Sequence, residues 1–266
     1  MEEGDSTDMR IDIAFTPCEV KSEHKPVCII VDAIRASSTI VSLFEKQFSK
    51  VILVEDEEKA VADNPEFSSP SYCICSEKVE GTRAAIAEIS PSLHELGQIE
   101  NGRDRTVIMK TTNGTRAVLA LSQKGVDGIL IGSMLNSDAV AKASVQLALA
   151  MDSDICIVCA GREMGAIPCI DDSFCAGILA EKIVEHGTSI GLAFHQQDSV
   201  KIAQRIVKTF NHDSFLAFSQ SASGTIMRQA GAEEDIRLCS LDRGLQLVPK
   251  VKQVDGQGHV HIECNE

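Results

Sequence analysis

Residues 27–54 read VCIIVDAIRASSTIVSLFEKQFSKVILV. The run at residues 27–31 is apolar throughout, which is typical of a central strand that is covered on both faces. Residues 36–47 predict a helix, residues 51–54 a second strand, and residues 56–62 an acidic helical segment. This alternation of strands and helices indicates an α/β fold with a mostly parallel or mixed sheet flanked by helices.

The same alternation continues along the chain. Apolar runs predict further strands at residues 10–15, 73–75, 103–110, 128–132 and 154–159, and terminal strands at 247–249 and 260–262. Further helices are predicted at residues 117–121, 138–150, 199–210 and 221–231, and another ends near residue 186. Residues 79–97 and 215–219 follow no clear pattern. No linker divides the chain, so we predict a flexible tail at residues 1–9 and one α/β domain at residues 10–266, with a small C-terminal lobe left open.

The composition limits the classes of function. The 266 residues carry a net charge of −14 at pH 7, which argues against nucleic acid as a partner because a phosphate backbone binds a basic surface. No apolar run is long enough to cross a bilayer, and residues 1–9 resemble neither a secretory signal nor a transit peptide, so we expect a cytoplasmic protein without a membrane partner. A small anionic ligand remains compatible, since a basic pocket or a bound divalent cation can hold it. A homo-oligomer is left open.

Ten cysteines could suggest a disulfide framework, but their positions do not. Cys156 and Cys159 have CxxC spacing, as in redox and zinc motifs. Both lie in a predicted strand, where residues three apart face opposite sides of the sheet, so the two thiols cannot share a metal ion or a bridge. With no secretory signal, we expect reduced thiols.

The turn at residues 111–116 joins a predicted strand to a predicted helix and combines hydroxyls, an amide, a glycine and a cation. Its members are Thr111, Thr112, Asn113, Gly114, Thr115 and Arg116. Free backbone N–H groups and the helix dipole favour an anion at such a turn. Gly114 lets the backbone approach a ligand closely, and Arg116 can bind two oxygens at once. The alternative is an N-capped helix with a solvated arginine.

Polar residues follow several of the predicted strands. They are Asp32 with Arg35, Glu77, the 111–116 turn, residues 133–136, and Arg162 with Glu163. In an open α/β sheet, ligands bind beyond the carboxyl ends of the strands, where the loops of several parallel strands converge. We therefore expect these residues to line one binding site.

Several stretches resemble one known family. Residues 31–40, VDAIRASSTI, look like its "DVLRASTTI" stretch, and residues 111–117 match its "TTNGTRA" residue for residue. Residues 132–136 are similar to "GSFLNA", and residues 158–161 and 172–177 resemble "VCAG" and "EDTLCAG". The tail pattern fits Asp235, Ile236, Cys239, Asp242, Val248 and Pro249. The chain is thereby identified as similar to the 2-phosphosulfolactate phosphatases, over residues 30–250.

The resemblance implies a fold, a reaction and a cofactor. Family members are magnesium-dependent acid phosphatases that hydrolyse 2-phospho-3-sulfolactate to 3-sulfolactate and phosphate, on the route to coenzyme M in methanogens. The resemblance therefore implies that this chain is a phosphatase-like α/β domain that uses Mg²⁺ and acts on a small anionic phosphoester. One stretch departs from the family pattern: where "GERGG" and "GFDLGNSP" are usual, residues 76–91 keep Glu77, Ser90 and Pro91 but not the glycines or the Gly-Asn pair.

Metal-assisted hydrolysis also agrees with the residues themselves. The transferred phosphoryl group is negatively charged, so its transfer needs donors, cations and a metal ion. Mg²⁺ prefers one or two carboxylates together with waters and phosphate oxygens, which makes Asp32, Glu77 and Asp172 candidate metal ligands. Asp32 and Asp172 have an alternative role as caps of the helices that follow them.

Four further polar residues are candidates for binding the substrate. Arg35 and Arg116 can fork onto phosphate or sulfonate oxygens, with a surface ion pair as the alternative role. Asn113 and Asn136 can orient the substrate or cap a turn.

The catalytic group predicted from the sequence is Asp32, Arg35 and Glu163. Glu163 is a candidate general base for the attacking water, with a solvated loop carboxylate as the alternative. The chain has no Ser-His-Asp order and no nucleophile elbow, so a metal-activated water is the expected attacker. A non-catalytic phospho-ligand binding protein and a phosphatase for another phosphorylated hydroxy acid are the alternative functions.

Overall fold

The computed structural model describes residues 8–20 and 25–264. Ten strands lie in this part of the chain: β1 (Asp8–Ala14), β2 (Val27–Val31), β3 (Lys50–Leu53), β4 (Tyr72–Ser76), β5 (Thr106–Lys110), β6 (Ile129–Gly132), β7 (Ile155–Cys159), β8 (Ala193–Gln196), β9 (Pro249–Val254) and β10 (Val260–Cys264). The described residues also form ten α-helices: α1 (Ala36–Glu45), α2 (Glu57–Asp63), α3 (Leu93–Gly97), α4 (Gly114–Gln123), α5 (Ser137–Met151), α6 (Ile170–Ser189), α7 (Asp198–Thr209), α8 (Ser214–Gln220), α9 (Ala222–Gln229) and α10 (Glu233–Ser240).

All ten strands join one mixed sheet, in the order β4-β5-β3-β10-β9-β6-β2-β7-β1-β8. Strands β4, β5 and β3 form one parallel group, and β6, β2, β7, β1 and β8 form another. The β9–β10 hairpin lies between the groups and pairs antiparallel with both. The predicted α/β fold with a mostly parallel or mixed sheet is confirmed.

The carboxyl ends of three neighbouring strands lie level. Val31, the last residue of β2, pairs with Gly132 of β6 and Cys159 of β7. The residues that follow these strands, among them Asp32, Ser133 and Ala160, therefore begin their loops at one edge of the sheet.

The β9–β10 hairpin also reverses the direction of the sheet. Three successive antiparallel pairings separate β3 from β6, so the two parallel groups run in opposite senses. The carboxyl ends of β5 and β2 nevertheless meet. Gly114, which follows β5, closely approaches residues that follow β2: a Cβ atom on Gly114 would lie 2.9 Å from Asp32 Oδ2 and 2.6 Å from the Cβ of Ala36. Strand twist of about 20–25° per pair, summed over five pairs, gives a rotation of roughly 100–125°. The sheet therefore twists and curls until both sets of loops reach one place.

Alternate residues of the buried strands face two helical layers. Val27, Ile29 and Val31 of β2 pack in a core with α5, α6 and α7, whereas Cys28 and Ile30 pack in a second core with α1 and α4. This is the alternation that a strand covered on both faces requires. Helices α8 and α10 contribute Phe218 and Ile236 to the first core, so the C-terminal helices share the core of the domain.

The prediction for the CxxC pair is confirmed. Cys159 lies in the core with α6, and Cys156 lies in the core on the other face of the sheet. Cys156 and Cys159 are both free thiols. The pair therefore packs as two small apolar side chains rather than as a redox or zinc motif.

Some boundaries differ from the predictions. The strand predicted at residues 247–249 begins only at Pro249 and continues to Val254, and β8 and α3 were not predicted. Strand β8 is only four residues long, and its side chains alternate between half-buried and exposed positions, which leaves little apolar signal. Residues 1–7 of the predicted tail lie outside the described residues, while Asp8 and Met9 already belong to β1.

No helix within the described residues combines the length and apolar composition needed to cross a membrane.

Replacement of Ile262 by alanine tests the role of the hairpin. Ile262 is fully buried and pairs with Val51 of β3 and Val251 of β9. We expect Ile262→Ala to lower the free energy of unfolding by about 2–5 kcal/mol, because it leaves a cavity where the two parallel groups join. Urea denaturation followed by circular dichroism measures this. Lys252→Ala, at an exposed position of β9, is the control, and equal stability of the two variants would contradict the prediction.

Candidate functional site

Asp172 ties two strand ends together. It lies in the first turn of α6 and is buried, and its Oδ1 accepts a hydrogen bond from the backbone N–H of Ala33 at 2.8 Å. Its Oδ2 accepts one from the backbone N–H of Gly161 at 3.0 Å. One carboxylate thus fixes the loop after β2 relative to the loop after β7.

Asp32 follows β2 and is held at the start of α1. The backbone N–H of Ala36 donates to its Oδ1 at 3.3 Å, and its own N–H donates to Ser37 Oγ at 2.6 Å. Burial, and next the charge of Glu77, raise the pKa of Asp32 to about 7, and the charge of Asp171 acts in the same direction. Asp32 therefore faces other carboxylates, and in metal-free protein at neutral pH its carboxyl group is near its midpoint of ionisation.

Asp171 is the buried carboxylate that the sequence analysis missed. Its exposed fraction is 1%, and neither carboxylate oxygen has a hydrogen-bond partner among the described residues. Burial raises the pKa of Asp171. Polar contacts from Ser223, its own backbone N–H, Cys169 and Ser221 offset this only in part, and none of them has the geometry of an ordinary hydrogen bond. A buried carboxylate without ordinary hydrogen bonds is costly, and either protonation or a bound cation would relieve that cost. In the sequence, the position of Asp171 directly beside the candidate ligand Asp172 was the signal that could have identified it.

Asp32, Asp171 and Asp172 form what we call the carboxylate cluster. Burial raises the pKa of Asp172 well above its usual range, and the charges of Asp171 and Asp32 add to this. No salt bridge from the described part of the chain reaches any of the three. Carboxylate oxygens are the ligands that Mg²⁺ prefers, and both oxygens of Asp171 lack an ordinary hydrogen bond among the described residues. The residues present therefore fit a divalent cation.

Cys169 lies beside the carboxylate cluster. Its Sγ is 3.2 Å from Asp172 Oδ2. One ligand atom from each of Cys169, Asp171 and Asp172 lies within 4.8 Å of the other two. Burial, and next the charge of Asp172, raise the pKa of the Cys169 thiol far above its usual range. In metal-free protein the thiol is therefore protonated and donates to Asp172.

Arg35 is the centre of a buried ion-pair group, which we call the arginine clamp. Its Nη1 donates to Asp235 Oδ2 at 2.7 Å, and its Nη2 donates to Glu77 Oε2 at 2.6 Å and to the carbonyl of Gly81 at 2.7 Å. The Arg35 side chain is 2% exposed. Burial alone would lower the pKa of Arg35, but Glu77 and Asp235 raise it above its ordinary value. Both terminal nitrogens are thus engaged within the protein, which favours the ion-pair alternative, in a buried form, over a phosphate fork.

Asp235 of α10 is the second residue that the sequence analysis did not assign to the site. Its Oδ1 accepts hydrogen bonds from Ser92 Oγ and from the backbone N–H of His94, both at 2.9 Å. Together with Arg35 it joins the start of α1, the start of α3 and α10. The resemblance had included Asp235 in the tail pattern, but nothing local in the sequence showed that it pairs with a residue 200 positions away.

The 111–116 turn lies beside the carboxylate cluster, because Gly114 approaches Asp32. Thr111 and Thr115 cap each other: each hydroxyl oxygen accepts from the other residue's backbone N–H at 3.2 Å. Thr112 and Asn113 are half-buried, and Arg116 is exposed. Thr112, Asn113 and Arg116 therefore present the side chains of this turn that stand nearest to solvent.

Glu163 and Asn113 are brought together by their loops. The backbone N–H of Met164 donates to Asn113 Oδ1 at 3.3 Å, so the loop after β7 rests on the 111–116 turn. Glu163 itself is exposed, and the φ values of Glu163 and Met164 are 50° and 61°, in the left-handed region. The structure shows the solvated loop carboxylate that was the alternative, placed at the edge of the site.

Asn136 is buried and uses its amide within the fold. Its Oδ1 accepts from the backbone N–H of Ser133 at 2.9 Å, and its Nδ2 donates to the carbonyls of Ile131 and Leu247 at 3.1 and 2.9 Å. These bonds close the turn after β6 and favour the capping alternative over contact with a substrate.

The fold and the site together describe an α/β protein with a buried carboxylate cluster next to a strand-to-helix turn rich in hydroxyl and amide groups. Matching against family models gives a consistent result: the model of the 2-phosphosulpholactate phosphatase family matches residues 14–254. The chain belongs to this family, whose members are phosphoric monoester hydrolases.

Individual relatives extend over almost the whole chain. A protein of Clostridium novyi (strain NT) described as "Probable 2-phosphosulfolactate phosphatase" is 27% identical over 252 residues, which cover 91% of this chain and 97% of the relative. A protein of Thermus thermophilus with the same description is 27% identical over 87% of this chain and 90% of its own length. One of Deinococcus radiodurans, again so described, is 26% identical over 91% and 92%.

The arginine clamp predicts a large effect of removing Asp235. We expect Asp235→Ala to lower the free energy of unfolding by about 3–5 kcal/mol, because it leaves the Arg35 guanidinium buried with one carboxylate fewer. Chemical denaturation measures this. Glu234→Ala is the matched control on the same helix, since Glu234 forms an exposed ion pair with Arg237 and exposed pairs contribute little. A loss no greater than that of the control would contradict the buried clamp.

The raised pKa of Asp32 predicts a pH dependence of stability in EDTA-treated protein. Unfolded Asp32 loses its proton near pH 3.8, whereas folded Asp32 keeps it up to about pH 7. Stability from this group is therefore present at low pH and is lost as pH rises from about 4 to 7. Asp32→Asn cannot ionise, so relative to wild type we expect it to gain up to about 4 kcal/mol over this range, since one pKa unit is worth about 1.4 kcal/mol.

Denaturation curves at pH 4, 5, 6 and 7 measure this difference, and the value at pH 4 is its reference. Glu77, Asp171 and Asp172 face Asp32 and remain in both proteins. A constant difference between variant and wild type from pH 4 to 7 would show that Asp32 does not hold a proton in the folded state.

Proposed function

We propose that this protein is a Mg²⁺-dependent phosphatase that hydrolyses 2-phospho-3-sulfolactate to 3-sulfolactate and phosphate. The observation that carries the proposal is the carboxylate cluster, in which Asp171 is buried with both oxygens unpartnered, beside the anion-binding turn. The descriptions of the relatives from Clostridium novyi and Thermus thermophilus support the choice of substrate.

The carboxylate cluster would hold the metal ion. Asp32 and Asp172 were predicted as ligands, and Asp171 joins them because its oxygens lack other partners. Glu77 remains a predicted ligand, although its Oε2 is bound by Arg35. Bound Mg²⁺ would neutralise charge on the phosphoryl group and lower the pKa of a bound water.

The residues of the 111–116 turn would bind the anionic groups of the substrate. The start of α4 directs backbone N–H groups and the positive end of the helix dipole at this position. Thr112 and Asn113 would donate hydrogen bonds, and Arg116, which is exposed at the first turn of α4, would fork onto two oxygens. Gly114 leaves no space for a side chain between the turn and Asp32, which keeps the anion close to the carboxylate cluster.

Glu163 would serve as the base for the attacking water. Its loop rests on Asn113 through the Met164 hydrogen bond, so a phosphoester bound at the 111–116 turn would lie beside the Glu163 loop. Arg35 would not touch the substrate. It would keep Glu77 and α10 in place through its two carboxylate partners.

A phosphatase for a phosphorylated hydroxycarboxylate is the second candidate. The observation that favours it is the departure of residues 76–91 from the family pattern. The arginine clamp fixes this loop at Glu77 and Gly81, so its altered residues keep a defined position. A changed loop in a fixed position can change which acidic group the site prefers.

Phosphate release tests both candidates. Purified protein is incubated with 2-phosphosulfolactate and with its carboxylate analogue, each with Mg²⁺, with EDTA, and with Mg²⁺ restored in excess. We expect turnover that EDTA stops and Mg²⁺ restores, with a higher kcat/KM for the sulfonate.

A metal-ligand variant adds a second requirement. We expect Asp171→Asn to lower activity by at least about 10–100-fold, whereas Asp198→Asn, on the exposed start of α7, keeps wild-type activity. A higher kcat/KM for the carboxylate would select the second candidate. Binding of the phosphoester in calorimetry without any hydrolysis would overturn both in favour of a phospho-ligand binding protein.

A further inference from the structure

We propose that Cys169, Asp171 and Asp172 form a mixed thiolate–carboxylate site that binds a thiophilic divalent cation such as Zn²⁺ or Co²⁺. We call this group the thiolate site. It rests on the proposed function in one respect, since Asp171 and Asp172 are also proposed ligands of Mg²⁺. The inference adds a sulfur ligand and a second class of metal to this position.

The geometry of the thiolate site is compact. Its three residues lie within one turn of chain at the start of α6, and their ligand atoms are all within 4.8 Å of one another. Cys169 Sγ and Asp172 Oδ2 are already 3.2 Å apart. Donor atoms around a tetrahedral zinc ion lie about 3.5 Å from each other, given bond lengths of about 2.0–2.3 Å. Only small side-chain movements separate the present arrangement from a coordinating one.

A second observation points to a ligand here. Asp171 is 1% exposed, and neither of its oxygens makes an ordinary hydrogen bond among the described residues. One of these two oxygens is among the ligand atoms of the thiolate site. Within residues 8–20 and 25–264, this is the single group of three or more His, Cys, Asp or Glu side chains with ligand atoms so close together. The buried carboxylate lacks a partner at the place where three ligand atoms meet.

The donor set determines which metal it prefers. Oxygen-only sites suit Mg²⁺, whereas a thiolate selects zinc and related metals over Mg²⁺. Binding breaks the S–H bond of Cys169 and forms a sulfur–metal bond, and the proton leaves to solvent, so no oxidant or reductant is required. Two carboxylates and one thiolate together carry three negative charges against two on the cation, which outweighs the positive end of the α6 dipole.

The rigidity of the site supports the same assignment. Asp172 is held by the N–H groups of Ala33 and Gly161, and Cys169 immediately precedes α6. Both ligands are therefore in position before a metal ion binds, and binding costs little conformational entropy of their side chains. A thiophilic ion held here would occupy the position proposed for Mg²⁺, so Zn²⁺ would act as an inhibitor of the Mg²⁺-dependent reaction.

Cobalt spectroscopy tests the proposal without reference to catalysis. The EDTA-stripped full chain, kept reduced with a phosphine, is titrated with Co²⁺ under anaerobic conditions while the near-ultraviolet thiolate-to-cobalt charge-transfer band is recorded. We expect a band that saturates at one equivalent, disappears when Zn²⁺ is added, and persists in excess Mg²⁺. Cys169→Ser should lose the band. Cys159→Ser should keep it, because Cys159 is a buried cysteine outside the three-residue group.

Alkylation provides a second measurement that needs no variant. Because Cys169 is buried and protonated in the metal-free fold, its labelling by iodoacetamide requires transient opening of the fold, which mild urea promotes. Zn²⁺ should slow this labelling in wild-type protein, as followed by peptide mass spectrometry, and should leave the labelling of exposed Cys18 unchanged. Absence of the cobalt band, or its persistence in folded Cys169→Ser, would overturn the proposal. If wild-type protein shows no cobalt band but releases phosphate in a Mg²⁺-dependent reaction, the thiolate site alone is refuted. If wild-type protein shows the expected band but hydrolyses no phosphoester, the proposed phosphatase function alone is refuted.

Discussion

The carboxylate of Asp172 is the point on which the site depends. It receives one backbone N–H from the loop after β2 and another from the loop after β7, at 2.8 and 3.0 Å. The register that sets Val31 level with Cys159 makes this possible, because both loops leave the sheet at the same height. A hydrogen bond from a neutral donor to a buried carboxylate is among the stronger ones that a protein can make. The position of Asp32 and the direction of α6 therefore depend on one side chain.

Buried charge is partly balanced in one half of the site and unbalanced in the other. Arg35 pairs with both Glu77 and Asp235, which leaves one net negative charge, and further hydrogen bonds join the three residues to Gly81 and Ser92. The carboxylate cluster has no comparable cation in the described part of the chain, and burial raises the pKa of each of its members. Two remedies exist for such a cluster, protonation or a bound cation. The first applies to metal-free protein at low pH, and the second is the physical basis for proposing a metal.

The sequence predicted those parts of the fold that local pattern determines. Two predictions were correct: that β2 is a central strand covered on both faces, and that Cys156 and Cys159 face opposite sides of the sheet. Both rest on local pattern, since a strand covered on both faces has an unbroken apolar sequence and side chains alternate along a strand. The position of the β9–β10 hairpin between the two parallel groups left no such trace. Strand order depends on pairing between segments far apart in sequence, and no residue in β3 or β6 indicates which strand will pair with it. Short α3 was missed because five residues are too few to show a helical period.

The candidate site follows the same division. Residues at strand ends, such as Asp32 and the 111–116 turn, were predictable because the carboxyl ends of strands are where α/β proteins bind ligands. The partner of Arg35 was not predictable, since Asp235 lies on a helix 200 positions away. Nor was the lack of partners around Asp171 visible, because an unsatisfied carboxylate is a property of the surroundings rather than of the residue. In both cases the missing information was which residues surround the side chain in the folded protein.

The convergence of strand ends holds for a reason that differs from the one first expected. Loops of a single parallel sheet converge because all strands point the same way, but here β5 and β2 belong to groups of opposite sense. Their ends meet only because the sheet curls between them, and the contact of Gly114 with Asp32 and Ala36 marks the meeting point. The curl is set in the strands between them, which include the hairpin. The distance between the 111–116 turn and the carboxylate cluster therefore depends on the strands between them, including a hairpin that lies in neither, and the geometry of the site is a property of the whole sheet.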